Sequence, residues 1–205
     1  MPRNLIGNDP LPKNLEWLER TIRKWLEINC RYAEVAEGQD TLYWYNERAN
    51  IGALAGAAWK AGIYAVEEYA ALKKPKSATS KGSGRIDLYL MDESQDAIIE
   101  AKICWVAPRT EPKKLRIKMR EARADAKRDH DGDQKIGAVF YVMRVHQERV
   151  HEKTLIEEVE RIRRTKPDAL AWCFPAAARN LQSERPEHEG YVWPGVIMAL
   201  KVAKG

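Results

Sequence analysis

Apolar positions along the chain change their period at identifiable places. From 14 to 30, Leu15, Leu18, Ile22, Trp25 and Leu26 recur at helical spacing between Glu16, Glu19, Arg20, Arg23 and Lys24, which predicts an amphipathic helix capped by Asn14. A short second helix is expected over 32–37, ended by Gly38, after an irregular proline-containing start. Asn46 then caps a small-residue helix, rich in Gly and Ala, that carries Ile51, Leu54 and Ala58 on its inner face and stops near Gly62. The pattern shifts to apolar, β-forming runs over 85–91 and 98–103, which read as two strands of a hairpin; 63–72 suits either a continued helix or a strand, and the break at Gly62 with the need for a third strand beside the hairpin favours a strand over 64–69. Thr110 is expected to cap a helix reaching about Arg128, with Leu115, Met119, Ala122 and Ala126 as its inner stripe. Strands at 138–143, 169–174 and 196–202, a helix over 149–164 and a surface excursion at 176–190 complete the pattern.

This alternation predicts an α/β fold with a mixed central sheet flanked by helices, in a single domain of 205 residues. Within it, 1–45 forms an N-terminal helical arm, 46–145 the core, and 146–205 a C-terminal helix with strands. No apolar run approaches the roughly 20 residues of a membrane span, and the N-terminus has no apolar signal core. A cytoplasmic protein without membrane association is therefore expected. Cys30, Cys104 and Cys173 are odd in number, far apart and without paired spacing, which supports neither a zinc ribbon nor a disulfide framework and reads as reduced, packed thiols, and the four histidines make no metal-ligand spacing.

The formal charge of +5 and the pI near 9.0 favour a polyanionic partner, with position mattering more than total. Two basic stretches stand out. Lys73, Lys74, Lys76, Lys81 and Arg85 crowd a Ser/Gly-rich loop over 77–84. Lys114, Lys118, Arg120, Arg123 and Lys127 make the helix after Thr110 the densest positive surface. Both suit phosphate contacts; a solvated charged face is the plainer alternative. The cluster Tyr43, Trp44 and Tyr45 suits either base stacking or anchoring of the arm to the core.

The most informative stretch joins the second and third strands. If Met91 pairs with Asp96 around the polar turn, Tyr89 falls opposite Ile98 and Asp87 opposite Glu100, with Lys102 on the same face. Two ionised carboxylates roughly 5 Å apart repel unless a cation or a proton intervenes, and an oxygen-seeking ion such as Mg²⁺ or Mn²⁺ answers that conflict. Glu47, in the first turn of the preceding helix, adds a further acid toward the buried side, with Glu67 and Glu68 as rivals. A first-turn acid also fits the helix dipole alone.

This order of elements, with Glu47, Asp87 and Glu100-Ala101-Lys102 at these places, resembles the αβββαβ core of the PD-(D/E)XK nuclease superfamily, the restriction-endonuclease-like fold, over roughly 46–145. The Glu47-Arg48 pair is locally similar to archaeal Holliday-junction resolvases. Ile86 stands where the name-giving proline would be. The resemblance implies a Mg²⁺- or Mn²⁺-dependent nuclease, acting on DNA, in which Asp87, Glu100, Glu47 and the Ala101 carbonyl hold the metal. Lys102 would orient or deprotonate the attacking water and stabilise the developing charge. A homodimer would supply two active sites for cutting a duplex. The competing readings are a nucleic-acid-binding module that no longer cuts, and a structural or protein-interaction factor.

Overall fold

The computed structural model describes residues 3–75, 82–108, 110–129, 132–182 and 186–203. Lys81, expected as a phosphate contact, lies outside them with Lys76 and most of the 77–84 loop.

The chain starts with a strand, β1 (Leu5–Asn8), where an irregular segment was expected. Its pairing with residues 171–174 comes from far along the chain and leaves no local periodic signal. A 3₁₀ turn over Lys13–Leu18, entered from Pro12, leads into helix α1 (Glu19–Val35). Asn14 therefore lies inside that turn and caps nothing. The two expected helices are one, because nothing between Cys30 and Tyr32 breaks the i to i+4 ladder. Gly38 still marks the end, with φ of 74° and its amide donating to the Ala33 carbonyl.

Helix α2 (Glu47–Ala61) begins as predicted: the Asn46 side chain accepts from the Ala49 amide at 3.0 Å. Gly62, with φ of 83°, ends it and turns the chain into β2 (Tyr64–Leu72). Strands β3 (Ser83–Met91) and β4 (Asp96–Val106) follow as an antiparallel meander, and helix α3 (Pro112–Ala126) crosses over to β5 (Gln134–Met143), which is parallel to β4. Thr110 does not cap α3. Its hydroxyl accepts from the Ala107 amide at 2.8 Å, and Pro112 begins the helix where a missing amide costs nothing.

Beyond the crossover come a two-residue strand β6 (Val145–His146), helix α4 (Glu152–Arg163) and β7 (Ala169–Phe174). Strands β8 (Tyr191–Val192) and β9 (Val196–Val202) close the chain, β8 pairing with β6 in a small ribbon. A 3₁₀ turn over Gln147–Arg149 delays the start of α4 relative to expectation.

The main sheet has seven strands in the order β1-β7-β9-β5-β4-β3-β2, and every pairing except β4 with β5 is antiparallel. Helices α1 and α2 cover one face. Ile22, Trp25, Ile51 and Leu54 pack there on Leu88, Ile99, Ala101 and Phe140. Helices α3 and α4 cover the other, with Leu115, Met119, Leu155 and Val159 on Cys104, Val139 and Tyr141. The stripe predicted for α3 is fully buried. Gly137 on β5 lets α3 approach so closely because a Cβ there would lie 2.4 Å from the Arg123 amide nitrogen. The result is an α/β fold with a mixed sheet between helical layers, in which α2, β2, β3, β4, α3 and β5 run in the expected α-β-β-β-α-β order. None of the described helices is long and apolar enough to cross a membrane.

Candidate active site

The β3–β4 ladder pairs Met91 with Asp96, Tyr89 with Ile98 and Leu88 with Ile99, the expected register, and then stops. Asp87 is the first residue past that point. The β2–β3 ladder also skips it: Glu67 pairs with Leu88 and Tyr69 with Ile86, while Glu68, between them, has φ of 48°. Such a backbone is uncommon for a residue with a side chain and costs free energy that its surroundings must offset. Asp87 thus occupies a gap between three strands. Its Oδ2 accepts from the Ala101 amide at 2.7 Å, so its carboxylate, in place of a backbone carbonyl, bridges β3 to β4.

Glu47 reaches the same place from α2. It is half-buried, and its Oε2 accepts from the Ile103 amide at 3.1 Å. Burial raises its affinity for a proton, and the Asp87 charge adds to this against the opposing pull of Lys102. Glu47, Asp87 and Glu68 border an open cleft of about 260 Å³ together with Asn46, Arg48 and Ile51. Glu68 is itself held by Arg48 at 3.1 Å and by Arg85 at 2.8 Å, so Arg85 is turned onto β2.

Lys102 projects from β4 toward α3, where its Nζ lies 3.1 Å from Asp125 and donates to the Ala101 carbonyl at 2.8 Å. Burial alone would lower its pKa. The carboxylates of Glu47, Asp125 and Asp87 outweigh that and raise it. Lys102 is therefore an ammonium at neutral pH, which favours a charge-stabilising role over deprotonation of water. The Ala101 carbonyl, expected as a metal ligand, accepts from this ammonium.

Glu100 departs furthest from expectation. It is buried, and its partner is Lys73, whose Nζ stands 2.5 Å from Oε1 and 3.3 Å from Asp129 Oδ1. Lys73 starts on the far side of β3 and crosses over Gly84, where a Cβ would lie 2.7 Å from the lysine Cδ. Only glycine leaves that passage open. Burial pushes the Glu100 pKa up to about 7 despite Lys73, with the Asp87 and Asp129 charges pushing the same way. Asp129 is raised as well, again chiefly by burial. Two buried carboxylates share one ammonium, so the group retains a proton above the usual carboxylate range.

Both folded-state values lie above the unfolded ones, so this contribution to stability is complete below about pH 4 and is lost as pH rises through the folded values, near 7 for Glu100. Asp129→Asn removes the surplus carboxylate. In chelator, its unfolding free energy is expected to gain on the parent as pH rises from 5 to 8, by roughly 1–3 kcal/mol. A difference that does not change with pH in parallel urea titrations would refute the shared-proton account.

The basic residues of α3 and its C-cap divide by position. Arg120 and Lys127 are exposed, Arg123 is half-buried, Lys118 pairs with Glu121 at 2.7 Å, and Lys114 reaches the Trp105 carbonyl at 3.4 Å. Among the described residues, no three of the His, Cys, Asp and Glu side chains stand together as a metal cage. The chemistry of the side chains nevertheless suits a hard divalent ion: Glu47, Asp87 and Glu100 carry carboxylate oxygens, and the Asp87 charge raises the proton affinity of both glutamates.

Lys73, expected among the loop cations for phosphate, is instead buried on Glu100 and Asp129, and sequence reasoning passed over Asp125 and Asp129 as site residues. Their charges were visible, but only the packing of α3 and the β2–β3 register bring them to the site. Gly82 and Gly84, one just before β3 and one in its first residues, were the available hint of a close approach. Compared with known proteins, the chain matches no protein-family model, no curated protein and no solved structure.

Proposed function

We propose that the protein is a Mg²⁺- or Mn²⁺-dependent nuclease that hydrolyses phosphodiester bonds, with DNA as its expected substrate. The observation that carries this reading is the convergence of Glu47 from α2, Asp87 from β3 and Lys102 from β4 at the point where the β3–β4 ladder opens. Asp87 and Glu47 border the open cleft and would hold the ion first; Glu100 would join them on release from Lys73. A bound divalent ion would lower the pKa of an attacking water and offset charge on the scissile phosphate. Lys102, kept protonated by its carboxylate neighbours, supplies further positive charge to the phosphate as negative charge develops there. The exposed cations Arg120, on α3, and Lys127, at its C-cap, suit the backbone of the substrate.

The test is incubation with linear, circular, single-stranded and branched DNA, and with RNA, in Mg²⁺, Mn²⁺ or EDTA. Absence of metal-dependent cleavage across that panel would sink the proposal. A second reading, a module that binds nucleic acid without cutting it, is favoured by one feature: the Lys73 ammonium already satisfies Glu100. Salt-sensitive DNA binding with no cleavage in either metal would select it.

A further inference from the structure

A second and larger concavity is lined by residues close in the chain to those of the cleft. It is an open groove of about 1060 Å³ walled by Trp44, Tyr45, Trp105 and Trp193 and edged by Lys114 and Arg144. Two chain connections tie it to the candidate active site. Tyr45 stands two residues before Glu47, and Trp105 three residues after Lys102, roughly 10 Å further along β4.

The aromatic wall is prebuilt. Trp44 stacks on buried Trp193 with centroids 5.4 Å apart and planes inclined by 16°, and Tyr43 fixes the same segment by donating to the Trp193 carbonyl at 3.2 Å. Tyr45 and Trp105 instead leave 58% and 38% of their surface open. Tyrosine and tryptophan faces exposed in one concavity are costly to leave against water. The lining also offers two cations: Lys114 from the first turn of α3, and Arg144, whose guanidinium lies 4.6 Å above the Tyr191 ring. The acid that faces the groove, Asp40, is engaged by the hydroxyls of Tyr32 and Tyr45, both at 2.7 Å.

We propose that this groove binds an unpaired nucleic-acid strand, its bases stacking on Tyr45 and Trp105 and its phosphates lying against Lys114 and Arg144, and that it leads the strand to the cleft at Glu47 and Asp87. The inference rests on the nuclease reading and narrows its substrate class. Ring faces in a groove reach only bases that are not already stacked in a duplex, and aromatic platforms edged with cations are how single strands are held without regard to sequence. A volume at or above the upper end of the roughly 300–1,000 Å³ of small-molecule sites also fits a polymer segment better than a metabolite.

The experiment is fluorescence anisotropy of a labelled oligothymidylate and of a labelled duplex of equal length, in EDTA so that nothing is cut. The single strand is expected to bind at least about tenfold more tightly than the duplex. Trp105→Ala and Tyr45→Ala should each weaken it by roughly tenfold, whereas Trp105→Tyr, which keeps a ring, should retain most of the affinity. Lys114→Ala should instead flatten the salt dependence by about 0.7 in log–log slope. Thermal melts establish that each variant is folded. Equal or tighter binding of the duplex, or oligothymidylate binding indifferent to both alanine variants, overturns the groove. Cleavage that persists beside such indifferent binding removes the groove alone. Ring-dependent binding with no metal-dependent cleavage keeps the groove and removes the hydrolase.

Discussion

Asp87→Asn is expected to lower metal-dependent cleavage by about 10²- to 10³-fold or more while leaving the protein folded. Asparagine keeps an oxygen that can accept from the Ala101 amide, so the bridge between β3 and β4 survives and only the charge is removed. That charge is the one felt by Glu47, Glu100 and Lys102 together. Its loss should therefore also weaken Mn²⁺ binding by calorimetry. Asp87→Ala would confound the two effects, because it also leaves a buried amide without its partner. Initial rates on the best substrate of the panel, at saturating metal, provide the measurement. A rate equal to that of the parent would remove Asp87 from the chemistry, and with it the convergence on which the proposed function stands.

The largest effect on stability is expected from Lys73→Met. Methionine can follow the same passage over Gly84, so the path of the side chain is conserved while its charge is lost. Glu100 and Asp129 would then remain buried without their ammonium, and breaking a buried pair in this way costs about 3–5 kcal/mol. For a chain of this size that corresponds to a fall of roughly 6–20 °C in Tm. Part of the loss should return with Mg²⁺ or Mn²⁺, since a divalent ion can take over from the missing ammonium. The discriminating measurement is the metal-induced rise in Tm, expected to be larger in Lys73→Met than in the parent. A variant as stable as the parent in EDTA would mean that the pair carries little, and an unaltered metal response would mean that Lys73 and the ion do not compete.

Much of this arrangement could be read from residue order, and what could not has a common cause. The hairpin register followed from alternation and turn chemistry, both local, and the structure keeps it from Met91 and Asp96 to Leu88 and Ile99. The Asn46 cap, the inner stripe of α3 and strands β7 and β9 were recognisable for the same reason. Asp87 was expected to oppose Glu100 directly. The pleat alone predicts that, but it cannot predict that the ladder opens there and that a side chain replaces a backbone acceptor. Partners set by tertiary approach were invisible: Lys73 on Glu100, Asp125 on Lys102 and Glu68 on Arg85. Edge strand β1, four residues long and paired with Ala171–Phe174, escaped for the same reason. The aromatic run at 43–45 divides its two expected roles, Tyr43 buried as an anchor and Tyr45 left exposed.

The position of β9 carries a consequence for how the chain is made. It is the last of the described strands in the chain, yet it lies between β7 and β5. Until it is synthesised, the meander of β2, β3 and β4 with β5 and the ribbon of β1 with β7 are separate half-sheets. Each presents an unpaired edge, and that of β5 is almost wholly apolar. A chain halted at residue 195 is therefore expected to enter the pellet fraction on expression, and a separately supplied peptide spanning Val196–Val202 to restore part of it to solution. β9 is the keystone, and synthesis reaches it only after every other described strand.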